Sequence, residues 1–154
     1  MGYTHYYRPK GDIDKVVWDR LTKATIGVLS IAKEMGVEIV GGMGDAGSEA
    51  EITDSFISLN GNPDHETLYL ERTPEVRDRK DPEYARFAFC KTAYKPYDVV
   101  VTAILCLAEH FSDGFFRVSS DGGPEDWQAG LALANKVVSG VQLPQRVLDP
   151  EFEG

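Results

Sequence analysis

Lys91, Lys95 and Arg117 are the cations to weigh first, with Arg86 beside them. Lys91 and Lys95 flank a strand-to-helix turn, and Arg117 lies on the strand that follows that helix. Brought together by neighbouring strands, they make a cationic pocket in an acidic chain, and free N–H groups of the helix's first turn add to it. Tyr94, Tyr97 and Trp127 offer rings to stack on a base, and Asn60, Asp98 and Asp121 offer groups to read its polar edges. Thr92, Ser119, Ser120 and His65 complete this ligand-binding set. The competing reading is that lysines in turns are solvated and pair loosely with Asp and Glu.

Three other side chains have catalytic chemistry. His5, between Thr4 and Tyr6, and His65, entering a strand from a loop, are each a candidate base or acid, or else a satisfied histidine in a strand. Cys90 beside Lys91 is a candidate nucleophile if its pKa is lowered; otherwise it is a small apolar residue at a strand end. His5, His65 and Cys90 match no metal-ligand spacing, so no metal is expected. The loop from Gly41 to Gly47 lacks the Lys-Ser/Thr pair of a phosphate loop, and no cofactor motif is recognised.

The element that must position these groups is the stretch from Asp98 to Phe111. It carries no charge between Asp98 and Glu109 and is apolar all round, which predicts a buried helix from about Pro96 to Phe111. Pro96 and Asp98 suit its first turn. Before it, strands are expected over Tyr3–Arg8, Val37–Val40, Thr53–Leu59, His65–Glu71 and Tyr84–Cys90, with a helix capped by Asp12 and closed by Gly36. Asn60-Gly61 marks a hairpin, and Thr73 to Glu83 reads as a mobile charged excursion. After it come a strand over Phe115–Ser119 and a helix opened by Pro124 and carrying Trp127, Leu131, Ala134 and Val137. The order is β-α-β-β-β-β-α-β-α. Four consecutive strands favour an antiparallel meander, hence an α+β class: a mostly antiparallel sheet of five to six strands, three helices covering one face. One domain is expected over residues 1–140, with 141–154 as a C-terminal tail.

The chain has 154 residues, 42% apolar and 27% charged, and a net charge of −9. That length suits one domain with a real core. The charge disfavours general nucleic-acid binding and anionic membranes. Cys90 and Cys106 fall in a predicted strand and a buried helix, as in a reduced cytosolic protein. The opening residues show no apolar signal core, and no stretch is long enough to span a bilayer.

The motifs Met1-Gly2-Tyr3-Thr4-His5-Tyr6, Leu59-Asn60-Gly61 with His65-Glu66-Thr67, Phe89-Cys90-Lys91-Thr92-Ala93 with Lys95-Pro96-Tyr97-Asp98, and Arg117-Val118-Ser119-Ser120-Asp121-Gly122 with Trp127 together resemble a family of small proteins common in tailed phages and prophages. The resemblance runs from residue 1 to about residue 138. It departs at Tyr7, where the family usually has Trp, and at Leu59, where it has Phe. It implies a phage accessory protein of the bacterial cytoplasm. By analogy, such small acidic proteins counter host defence, some by sequestering cyclic or ADP-ribose-type nucleotide signals.

Three readings stand. The first is a binding protein that sequesters a small phosphorylated, nucleotide-like ligand at the Cys90–Asp98 junction, often as a homo-oligomer with shared pockets. The second is a hydrolase for a phosphodiester or N-glycosidic bond, with His5 or His65 as base or acid and Lys91 and Arg117 stabilising charge. The third is an acidic protein–protein inhibitor of a host factor.

Overall fold

The computed structural model describes residues 2–82 and 84–153. Met1 of the opening motif, Glu83 at the end of the charged excursion and Gly154 at the end of the expected tail lie outside them. The class is α+β, with two antiparallel sheets in place of the one expected. The first joins β6 (Ala88–Lys91), β1 (Thr4–Pro9) and β7 (Phe116–Ser120), with β1 in the centre. In the second, β4 (Phe56–Gly61) pairs with β2 (Ile39–Val40), β3 (Glu51–Ile52) and β5 (Leu68–Glu71).

Helix α2 (Asp98–Ser112) is the buried axis, every residue from Val100 to Glu109 being buried. It starts two residues later than Pro96, and it ends where Asp113 adopts a left-handed conformation at φ 50°. Helix α1 (Lys15–Glu34) buries Trp18, Leu21, Ala24, Val28 and Ala32, a helical stripe facing the core. Its cap is Asp14 rather than Asp12, with Oδ1 accepting from Val16 N at 2.9 Å. The helix does not start earlier because Ile13 is buried and its N–H donates to Arg72 O.

The strand expected over Thr53–Leu59 begins only at Phe56, as β4, and a separate short strand, β3, precedes it. Thr53 Oγ1 accepts from the N–H groups of Ser55 and Phe56 and folds a turn between them. The segment after Glu71 has neither helix nor strand among its described residues, yet Pro74 is buried and Arg77 N donates to Ala85 O.

A 3-10 turn (Pro124–Trp127) leads into α3 (Gln128–Val137). The expected tail is part of the core. Val141, Leu143 and Val147 are buried, the short helix α4 (Gln145–Leu148) packs on β7, and the Asn135 side chain bonds both the N–H and the carbonyl of Val141. Pro144 and Pro150 bracket α4 without freeing it.

Candidate functional site

Along β1, alternate side chains point to opposite faces. Tyr3, His5 and Tyr7 face the helices, while Thr4, Tyr6 and Arg8 face away. In register, His5 sits between Cys90 of β6 and Ser120 of β7. Its ring is 0% exposed, so both nitrogens need partners within the protein. Nε2 lies 2.6 Å from Asp98 Oδ1, and Nδ1 lies 2.7 Å from Ser120 Oγ.

The surrounding donors assign the proton positions. Thr92 Oγ1 donates to the same Asp98 Oδ1 at 2.6 Å, and Gly122 N donates to Ser120 Oγ at 2.9 Å. Asp98 therefore acts as an acceptor of Nε2–H. In the neutral imidazole Nδ1 is then bare and accepts the Ser120 hydroxyl proton. A hydroxyl, an imidazole and a carboxylate form one directed chain.

Aromatic rings enclose it. Tyr3 and Trp127 meet the imidazole edge-on at centroid distances of 4.8 and 5.0 Å. Tyr94 stacks on Tyr3 at 3.7 Å and is 65% exposed. The turn that places Tyr94 puts two consecutive non-glycine residues in the left-handed region, Ala93 at φ 51° and Tyr94 at φ 59°. Such residues cost of order 1–3 kcal/mol each and concentrate at functional sites. The turn is held by Thr92 N to Tyr3 O, Lys95 N to Thr92 O and Asp98 N to Lys95 O.

Beside this cluster, buried Trp127 Nε1 has no hydrogen-bond partner among the described residues, and the buried Tyr3 hydroxyl lies beside the Ser120 side chain. Burial, then the carboxylates of Asp98 and Asp126, hold the Tyr3 phenol well above its ordinary range, so it keeps its proton. Gly122 lies against it, and a Cβ there would sit 2.3 Å from Tyr3 Oη. Asp121 closes the end of the site as a structural clamp. Its carboxylate accepts from Thr4 N and Tyr6 Oη, and its own N–H donates to Thr4 O.

The cationic trio does not assemble. Lys91 pairs in register with Thr4, and Arg117 with Arg8. Four residues along a strand and two strands across separate the two positions by about 16 Å. Lys91 is exposed over the Phe89 ring at 5.6 Å, on the face away from His5. Arg117 pairs with Glu109 at 3.2 Å and lies over Phe152 at 5.0 Å. It lines a cleft of about 330 Å³ at the other end of α2, with His110, Asp113 and Gln145. The Glu109 carboxylate there also accepts from Val118 N and Gln145 N, so this charge in an apolar helix ties β7 and α4 to the core. Sequence reasoning missed it; its isolation among apolar residues was the available signal. Of the expected cations, only half-buried Lys95 lies within the strained turn.

Other expectations are revised by burial. Tyr97 and Trp127 are fully enclosed and offer no face to a base; the Tyr97 hydroxyl donates to Glu66 O at 2.6 Å. The thiol of Cys90 is pushed up to about 12 by burial and then by the Glu66 carboxylate, the opposite of an activated nucleophile. Asn60 bonds His65 N, His65 O and Gly61 N, a clamp on its own hairpin, and the His65 side chain is exposed apart from the His5 cluster. Ser119 shares the outer face with Tyr6. Among the described residues no group of three His, Cys, Asp or Glu side chains is placed to hold a metal ion.

Thr92, Tyr94, Asp98, Ser120 and Trp127, from the expected ligand set, do converge on His5. Tyr3 and Gly122 were not singled out by sequence. Their signal was position, at the end of β1 and just after β7, where the pairing brings three motifs together. No known family model, no curated protein and no solved structure matches this chain.

Proposed function

We propose that the chain binds a small nucleotide-like ligand at this end of the three-stranded sheet. The observation that carries the reading is the buried Trp127 N–H without a partner, with the Tyr3 hydroxyl beside Ser120, next to a fully buried imidazole. Buried polar groups are ordinarily satisfied, and orphans of this kind suit acceptors that arrive with a ligand. Tyr94 gives one ring face to Tyr3 and leaves the other for a base, held by a strained turn that presents it. Lys95 in that turn supplies the cation for a phosphate. Arg117 and Lys91 drop out of the set, one neutralised by Glu109, the other on the opposite face.

The resemblance to tailed-phage proteins gives this binding a purpose. The chain would act in the bacterial cytoplasm as a sponge for a nucleotide signal of host defence. Among the described residues no helix is long and apolar enough to cross a membrane, consistent with that setting. The test is incubation with a panel of mono-, di- and cyclic nucleotides, removal of free ligand, heat denaturation and chromatography of what is released. Intact nucleotide from the wild type and none from Tyr94→Ala supports the reading. No retained nucleotide across the panel overturns it. A second reading, hydrolysis, is favoured by one observation, the Ser120–His5–Asp98 chain.

A further inference from the structure

We infer that Ser120 is a nucleophile, that His5 is its general base, and that the site cleaves small acyl esters. The inference takes its location from the binding reading but not the identity of the ligand. Ser120 is half-buried at the end of β7, followed by Asp-Gly-Gly, while His5 and Thr92 are fully enclosed behind it. Ser120 Oγ accepts from Gly122 N, lies beside the Tyr3 hydroxyl and directs its proton to His5 Nδ1 at 2.7 Å. Asp98 holds the other ring nitrogen at 2.6 Å and is itself held by Thr92. Serine proteases use the two nitrogens the other way round, but the relay needs only that each serve one partner.

The steps balance without a redox partner. Ser120 Oγ bonds to the ester carbonyl carbon as its proton passes to His5 Nδ1, and the C=O electron pair moves onto oxygen. Collapse of that oxyanion breaks the bond to the alcohol, which leaves with the proton from Nδ1. Water then attacks the acyl-Ser120 ester and gives a proton to Nδ1. The carboxylic acid departs as Ser120 Oγ recovers that proton. Asp98 is a positioning residue that stabilises the imidazolium between the proton transfers.

The donors favour an acyl centre over a phosphoryl one. Tyr3 O–H, which abuts Gly122, and Trp127 N–H belong to rings that flank the imidazole, and both are neutral donors, which suit an oxyanion of single charge. A phosphoryl centre carries more charge, and Arg117, the cation best suited to it, is bound to Glu109 elsewhere.

The test treats folded wild-type protein with a fluorophosphonate probe and reads intact and peptide masses, beside turnover of p-nitrophenyl acetate. The expected result is one adduct per chain, on Ser120. Labelling should disappear in Ser120→Ala, and ester turnover should fall roughly 100-fold or more. Asp98→Asn should slow labelling and change its pH profile, which a purely structural role would not do. Absence of an adduct on the folded wild type, or an adduct elsewhere, overturns the inference even if a variant misfolds. Nucleotide retention without Ser120 labelling leaves the binding reading and sinks this one. Labelling without nucleotide retention does the reverse.

Discussion

The imidazole of His5 and the carboxylate of Asp98 are 93 residues apart in sequence and 2.6 Å apart in space. One belongs to the central strand of the first sheet, the other to the first turn of the buried helix. Removing the carboxylate strands a buried ring N–H and the Thr92 hydroxyl, and takes a negative charge from the helix N-terminus. Asp98→Ala is expected to lower unfolding free energy by about 1–3 kcal/mol from the stranded donors and a further ~0.3–1 kcal/mol from the helix terminus. Urea denaturation with an unchanged m-value checks it. A loss under ~0.5 kcal/mol would show that the contact is unimportant to the fold.

The Tyr3 hydroxyl gives the complementary case. It is buried beside Ser120 with one side-chain contact to lose, so Tyr3→Phe should lower stability by no more than about 1 kcal/mol. If the hydroxyl serves a ligand, nucleotide retention should fall about tenfold, the worth of one hydrogen bond of about 1.4 kcal/mol. Gly122→Ala should lower stability further. Its Cβ would meet both Oη and the ring of Tyr3, a clash costing about 1–3 kcal/mol. Thermal melts of the two variants side by side separate these effects.

Arg117 and Lys91 show where the sequence was legible and where it was not. The buried helix could be read from Asp98 to Phe111 alone, because its signal is local: an uninterrupted apolar surface. The convergence of the Tyr3–Tyr6, Cys90–Asp98 and Ser119–Trp127 motifs was partly legible, since each lies at one end of a strand. Which cations join them was not. That depends on register, and β1 pairs with β7 across more than a hundred residues, where no local periodicity reports the offset. The turn at Thr53 and the burial of Val141, Leu143 and Val147 were hidden for a similar reason. Each rests on a side-chain hydrogen bond, from Thr53 or Asn135, that composition does not reveal.

The same geometry makes the two cations behave differently. Arg117→Ala leaves a buried carboxylate without its charge partner and should cost about 3 kcal/mol. Lys91→Ala, at an exposed position, should change stability by less than ~0.5 kcal/mol. Chemical denaturation of both variants decides it. Equal, small effects would restore Arg117 to the surface.

Alkaline pH should destabilise the protein through its buried thiols. The thiols of Cys90 and Cys106 are pushed up from 9.0 to about 12 in the folded state, chiefly by burial. A raised folded pKa means that the unfolded chain loses its proton first. The stabilisation is therefore complete below pH 9 and is lost as pH rises towards 12, at about 1.4 kcal/mol per pH unit for each thiol. The phenols of Tyr3, Tyr7 and Tyr97, also raised by burial, add to the loss above pH 10. Urea midpoints at pH 8 and pH 10.5 should differ in that direction, and Cys90→Ala should flatten the dependence. A thiol reagent at pH 8 should reach Cys90 only on unfolding.

Tyr94 separates binding from folding most cleanly. Its backbone sits at φ 59°, a conformation that costs an ordinary residue roughly 1 kcal/mol and glycine almost nothing. Its ring returns something similar through the stack on Tyr3, about 0.5–1.5 kcal/mol. Tyr94→Gly removes both, so stability should stay within about 1 kcal/mol of the wild type. Ala93→Gly removes only strain and should stabilise by up to about 1 kcal/mol. Ligand retention should part the two variants: lost in Tyr94→Gly, which has no platform, and kept in Ala93→Gly, which leaves the ring in place. Calorimetric melts together with the nucleotide-release assay give both readings. Retention unchanged in Tyr94→Gly would mean that the exposed ring face serves no ligand, and that the strained turn exists only to seal the His5 cluster from water.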